Sequence, residues 1–422
     1  MATLLEAGAL RETIHYERQP SGLACYVLPK SGFATRYASL STRYGSCDQT
    51  FWGAGGTLHE TPAGIAHFLE HKLFEEEDGN VSERFSALGA MANAFTNYGQ
   101  TSYLFSTTDN FPAALDLLLH FVQRPYFTEE NVAKEQGIIA EELRMYLDDP
   151  RSVVFQNLLQ GLYQSHPVRV EIGGTLESIR KIGPGELLLC HQAFYHPGNM
   201  VLMVAGDVDP DAVFAAARNA VAPAGTAPVR RVYPEEPRTV AQALQRRQMA
   251  VGVPLVAIGY KDDPAPQSDA LRREVTMEIL NDVLFGPASE INRTLYEEGL
   301  IGQQFSASYF SGDGYAASVL GGPTRDPDRL AARVEELLQD AVAQGLDPAS
   351  VERSRRRSLG EFVALFNAPE AVAHAFTEYA LRDLDLLAVY PLLQGITADE
   401  VGERLREQFS APRRAVSIVE PA

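Results

Sequence analysis

Residues 62–74 read Pro-Ala-Gly-Ile-Ala-His-Phe-Leu-Glu-His-Lys-Leu-Phe. With Pro62 early and Ile65, Ala66, Phe68, Leu69, Leu73 and Phe74 spread around it, this stretch is predicted to be a helix. A helix that is apolar on most sides belongs in a core. Yet three groups that resist burial, His67, Glu70 and His71, sit inside it. At roughly 100° per residue they fall within an arc of about 100°, on one face. Any fold that contains this helix has to satisfy that face. Two imidazoles one turn apart can hold one zinc ion, each through one nitrogen. A carboxylate beside them is within reach of water near that ion and can act as a general base. The alternative is a pair of hydrogen-bonded core histidines beside a surface glutamate.

Zinc needs a third protein ligand. The helix expected over 128–147 offers one. Its apolar face, built from Ile138, Ile139, Met145 and Tyr146, puts Glu142 and Glu135 near its centre and Glu141 towards its edge. A carboxylate in the middle of a buried stripe is costly unless it is paired or bound to metal. Glu142 is therefore the candidate ligand in preference to Glu141. Glu135, two turns earlier on the same face, is the candidate to orient a ligand. A helix lying more shallowly would instead expose both carboxylates to water. Two strands are expected over 92–98 and 101–107, turning at Gly99-Gln100. The segment Asn93-Ala94-Phe95-Thr96 is the candidate substrate-binding strand, because a strand beside a zinc cleft can pair with an extended peptide. The plainer reading is that these four residues fill the sheet.

The rest of the chain narrows the setting. Its 422 residues exceed one core, so two domains or more are expected. Residues 223–238, rich in Pro, Ala and Arg, read as the linker, giving domains 1–225 and 226–422. The net charge of −19 argues against a nucleic-acid partner. No apolar run is long enough to span a bilayer. Residues 1–6 lack the basic start and apolar core of a signal peptide. Cys25, Cys47 and Cys190 are scattered and odd in number, so they read as reduced thiols of a cytoplasmic protein. The continuous apolar run at 200–206 is expected to be a central strand. The acidic run at 75–78 is expected to be a solvated helix end.

The second half echoes the first. Residues 347–369 align without gaps on 128–150, matching Val351 to Val132, Glu361 to Glu142 and Pro369 to Pro150. Leu295-Tyr296-Glu297-Glu298 matches Leu73-Phe74-Glu75-Glu76. On that register Ser289, Asn292 and Arg293 occupy the places of His67, Glu70 and His71. The second half therefore cannot hold the metal, and one zinc ion per chain is expected.

Taken together, the chain resembles the pitrilysin, insulin-degrading enzyme and mitochondrial processing peptidase family, the inverzincin zinc peptidases. The resemblance rests on His67-Phe68-Leu69-Glu70-His71, the Asn93–Thr96 segment and the Glu135…Glu142 helix. It continues through Gly174-Thr175-Leu176-Glu177-Ser178-Ile179, Tyr195-His196-Pro197-Gly198-Asn199-Met200 and Gly206-Asp207-Val208. The length looks like that of the small bacterial members. The resemblance implies an α+β fold of two homologous domains, each an antiparallel β-sheet packed against α-helices. It implies zinc held by His67, His71 and Glu142, with Glu70 as the base, in an enclosed chamber where peptides are cut. One departure stands out. The family places an Arg, and a Tyr seven residues on, in the domain facing the zinc. Here the Arg position reads Tyr296 and the Tyr position falls near Gly302, while Arg293 and Tyr309 are wrongly spaced. The expectation is thus a zinc endopeptidase whose Arg and Tyr come from a related second chain in a dimer; a homodimer is the other arrangement. A catalytically silent scaffold or peptide-binding subunit is the alternative, disfavoured because His67, Glu70, His71 and Glu142 all stand.

Overall fold

The apolar run Met200–Gly206 is buried at every position, as a strand with neighbours on both sides must be. The computed structural model, which describes residues 3–8, 10–53, 55–77, 79–222, 229–409 and 413–422, places it in a seven-stranded sheet. The strands are β1 (Thr3–Ala7), β2 (Glu12–Arg18), β3 (Ala24–Pro29), β4 (Arg36–Thr42), β5 (Met91–Thr96), β6 (Thr101–Thr107) and β7 (Met200–Gly206). Their order is β1-β2-β3-β7-β4-β6-β5. Pairing is antiparallel except between β7 and β3, where Val201 lies opposite Ala24. β5 ends the sheet. Its inner side pairs with β6, setting Thr96 opposite Thr101.

A second sheet repeats the plan. Its strands are β8 (Leu244–Met249), β9 (Leu255–Asp262), β10 (Ser306–Gly312), β11 (Tyr315–Pro323) and β12 (Arg414–Pro421). The order β8-β12-β9-β11-β10 matches β3-β7-β4-β6-β5 strand for strand. The one parallel pair, β8 with β12, also falls in the matching place.

Two compact units carry these sheets, and neither is a continuous stretch of chain. The first comprises residues 1–143, 171–232 and 363–387; the second comprises 144–170, 233–362 and 388–422. The division expected at 225/226 is one of sequence, and each unit also takes in a helix from the opposite half. Helix α1 (Ile65–Leu73) packs on β5 and β6, and α2 (Glu129–Asp148) belongs to the first unit as far as Leu143. The chain then enters α3 (Pro150–Leu162), started by the Asp149 carboxylate accepting from Ser152 N–H at 2.8 Å. In the second unit α3 packs on β12 and β9. At Gly259 of β9 the helix comes close to the strand, and a Cβ there would lie 2.7 Å from Leu162 Cδ1. That unit also contains α4 (Ala270–Phe285), α5 (Glu290–Glu297) and α6 (Pro348–Leu365). The next helix, α7 (Pro369–Leu381), packs on β7 and β4 of the first unit. There Phe376 meets Tyr26 at 4.8 Å between ring centres.

Helix α1 starts later than its sequence pattern predicts, at Ile65 rather than near Pro62. Gly64 precedes it in the left-handed region at φ +91°, so the chain cannot enter the helix sooner. The acidic run is not a helix end. Glu75–Glu76 pair with Gly79–Asn80 as short antiparallel strands, while Asp78 lies outside the described residues, as do linker residues 223–228. Lys72, fully buried in α1, reaches Glu75 and the Asn131 carbonyl, so part of the acidic run neutralises a buried cation. Among the described residues no helix is long and apolar enough to cross a membrane, and Cys25, Cys47 and Cys190 are buried free thiols.

Candidate metal centre

Burial of Ile65, Ala66, Phe68, Leu69 and Leu73 anchors α1 and fixes its rotation. That rotation turns His67 and His71 together, with ring centres 4.6 Å apart. Helix α2 meets them with Glu142. Its Oε1 lies 3.7 Å from His67 Nε2 and its Oε2 lies 3.4 Å from His71 Nε2. One ligand atom from each of the three residues lies within 4.8 Å of the others, the one such grouping among the described residues. Glu141, one residue earlier on α2, is exposed and is not part of this grouping.

The reason for Glu142's position differs from the one its sequence suggests. The buried stripe of α2 consists of Asn131, Val132, Glu135, Ile139 and Leu143. Ile138 and Met145 are 47% and 59% exposed. Glu142 therefore borders the stripe instead of occupying its centre. Glu135 is the carboxylate in the stripe, and it is paired: its Oε1 lies 3.0 Å from His71 Nδ1. With the imidazole proton on Nδ1, that contact orients the ring and leaves Nε2 facing Glu142.

Glu70 sits beside the histidines and accepts a hydrogen bond from Thr96 Oγ1 at 2.6 Å. Thr96 thus reaches the site through its hydroxyl, whereas the sequence pattern suggested only a backbone role. Asn93, Ala94 and Phe95 precede it on β5. Asn93 and Ala94 line a cavity of about 1050 Å³ that also contacts Glu70, His71 and Glu135. Phe95 faces the other way and stacks on His374 of α7, with ring centres 5.0 Å apart. The outer edge of β5 carries no further strand among the described residues.

The electrostatics suit a cation. Burial, with His71 alongside, holds His67 down to about 4, so at neutral pH its ring is uncharged and its lone pair is available. Burial also pulls His71 down, but the hydrogen bond and charge of Glu135 outweigh it and the net shift is upward. Burial raises the Glu70 carboxyl against the opposing bond from Thr96. A further acid, Glu171, is pushed up to about 7 by burial, although the Gly173 N–H bonds its Oε2 at 2.5 Å. His67 Nδ1 is buried without a hydrogen-bond partner, which costs about 1–3 kcal/mol in a site left as it stands. Two imidazole nitrogens and one carboxylate oxygen form a donor set that fits zinc. Tetrahedral bonds of about 2.0–2.1 Å put ligand atoms about 3.3–3.4 Å apart, and one such atom from each of the three residues lies within 4.8 Å of the others.

Comparison with known proteins agrees with this architecture. The family model for insulinase (peptidase family M16) matches residues 45–176, which include His67, Glu70, His71 and Glu142. The model for the peptidase M16 inactive domain matches residues 181–358. The chain belongs to peptidase family M16. It is 38% identical to the uncharacterized zinc protease YmfH of Bacillus subtilis, over 99% of each chain. The crystal structure of an M16-like peptidase from Alicyclobacillus acidocaldarius superposes with a TM-score of 0.94 at 36% identity, covering 97% of this chain and 99% of that one. A protease from Helicobacter pylori shares the fold at 18% identity, with a TM-score of 0.84 over 97% of this chain and 100% of that one.

Sequence reasoning missed several residues around this M16 site. Glu171 and Gly173 lie in a turn far along the chain from α1, and only the folded structure joins them. The Thr96 hydroxyl and His374 escaped for the same reason. Gly64 and Gly174 left a signal as glycines beside a motif: a Cβ on Gly64 would overlap the Gly173 carbonyl oxygen, and one on Gly174 would overlap that of Ala63.

Proposed function

We propose that this chain is a zinc-dependent endopeptidase that hydrolyses peptides or small unfolded proteins. The observation that carries the reading is the convergence of His67, His71 and Glu142 on one locus, with Glu70 beside it. His67 Nε2, His71 Nε2 and a Glu142 oxygen would hold one zinc ion per chain. Zinc, when bound, polarises a carbonyl oxygen and lowers the pKa of water. The protein's own groups do the rest. The Thr96 hydroxyl pins Glu70 Oε2, leaving Oε1 to take the proton from attacking water and later pass it to the departing amine nitrogen. A carboxyl raised by burial suits a group that must accept a proton and release it again. Glu135 holds His71 in one orientation and one tautomer. The open edge of β5, over Asn93, Ala94, Phe95 and Thr96, would pair with an extended substrate backbone.

The same reading includes a related second chain that supplies an Arg and a Tyr. Two observations support it. Tyr309 donates its hydroxyl to the buried Asp262 at 2.8 Å, and Arg293 pairs with Glu290 on the surface, so both have structural uses. The free thiols support a reducing, cytoplasmic setting.

The test is purification from the native cell, zinc analysis, and assay of peptide cleavage with and without chelator and partner. Stoichiometric zinc, chelator-sensitive cleavage and a gain on adding the partner are expected. A chain that takes up no zinc would leave the fold as a silent scaffold. Full activity of the lone chain would remove the second subunit from the reading.

A further inference from the structure

Helix α1 is seated on the turn at 171–178. Ser178 Oγ donates to the Ala63 carbonyl at 2.7 Å, and a Cβ on Gly64 would lie only 2.2 Å from the Gly173 carbonyl oxygen. This turn therefore forms the wall behind His67. On the zinc reading above, on which this inference rests, Nε2 of His67 points towards Glu142 and the ring proton must sit on Nδ1. That nitrogen is buried and makes no hydrogen bond within the chain as it stands. Its neighbour His71 has Glu135 in the corresponding role.

Of the two acids in this turn, Glu177 is exposed and Glu171 is the one that borders Gly173. A Cβ built on Gly173 would lie 3.5 Å from His67 Nδ1, 2.9 Å from Glu171 Oε2 and 3.0 Å from Leu143 Cδ2. The missing side chain thus leaves a gap shared by a donor in need of an acceptor and an acceptor held in place. The Gly173 N–H fixes that oxygen at 2.5 Å. We propose that Glu171 is a positioning residue for His67, taking the Nδ1 proton as its hydrogen-bond partner across the gap at Gly173 when the metal is bound. Each imidazole then has a carboxylate behind it: Glu135 from α2 behind His71, and Glu171 from the turn behind His67. Such a partner fixes the tautomer and strengthens the ring as a ligand, and removing it typically weakens metal binding about 10–100-fold.

The test uses the full chain and zinc alone. Zinc affinity of Glu171→Gln is measured by competition with a chromophoric chelator, and the cobalt-substituted protein is followed by its visible d–d bands. The expected result is at least about tenfold weaker zinc and shifted bands, with an unchanged thermal midpoint of the metal-free protein. Wild-type zinc affinity and unshifted bands in Glu171→Gln would overturn the proposal. Should that variant not fold, ¹⁵N-histidine NMR of the zinc-loaded wild type decides. A His67 Nδ1–H protected from exchange supports the assignment, and a rapidly exchanging one refutes it. His67→Ala separates the two levels. If it keeps zinc, the metal reading itself fails; if it loses zinc while Glu171→Gln does not, only the role of Glu171 fails.

Discussion

The two units lay one strand plan down twice and spend their polar residues in opposite ways. Around α1 and α2 of the first, two imidazoles and three carboxylates converge. His67 Nδ1 has no partner within the chain, and Glu142 stands 3.4–3.7 Å from two ring nitrogens. Around α5 and α6 of the second, the residues at matching positions are satisfied locally. Ser289 caps α5, accepting from Asn292 N–H at 3.0 Å and donating to the Leu284 carbonyl at 2.8 Å. Asn292 Nδ2 donates to the Phe285 carbonyl at 3.0 Å. Ser354, at the place of Glu135, donates to Asp282, and Glu361, at the place of Glu142, is paired with Arg357 at 2.9 Å. The contrast shows that the scaffold does not require a metal. The matched helices pack in the second unit with every one of these groups answered by its neighbours. In the first unit the groups are arranged around a point that a cation would complete.

That contrast can be broken by substitution. The largest effect is expected from Glu70→Gln: cleavage of a fluorogenic peptide falls about 10²–10⁴-fold while zinc content stays at the wild-type level. Wild-type turnover would remove Glu70 from the chemistry. Next, Glu142→Gln is expected to weaken zinc about a hundredfold or more, beyond the loss of an outer partner, whereas Glu141→Gln and the counterpart Glu361→Gln leave it unchanged by equilibrium dialysis. A zinc defect in Glu361→Gln would mean that the second unit is not silent. Glu135→Gln should weaken zinc about 10–100-fold. Its counterpart Ser354→Ala, which loses a hydrogen bond to the Asp282 carboxylate, should cost about 1.5–3 kcal/mol in urea unfolding, with no change in zinc. The smallest effect is assigned to Glu361→Ala. Its pair with Arg357 is largely exposed, so the stability change should stay within about 0.5 kcal/mol by thermal melting.

How much of this was legible before folding depends on how local each feature is. The shared face of His67, Glu70 and His71 follows from helical spacing within five residues, and the central strand at 200–206 from an unbroken apolar run. The repeat was legible through matched helices and terminating prolines. The depth of Glu142 was not. Ile138 and Met145 suggested a buried face that the structure leaves exposed, because which side of α2 is covered depends on what packs there. The exchange of α3 and α7 between units was hidden too, since a helix's own pattern says that it needs a sheet but not which sheet.

The amino-acid order alone settles which atoms are available, and in what angular relation along one helix, because backbone geometry carries that information over a few residues. It also settles that the second half lacks the donors. The folded chain decides the distances: Glu142 against two imidazoles, Thr96 against Glu70, and Glu171 beside His67 across a glycine. Those depend on packing between segments far apart in sequence, where burial and close backbone contact choose among faces that local geometry leaves equivalent.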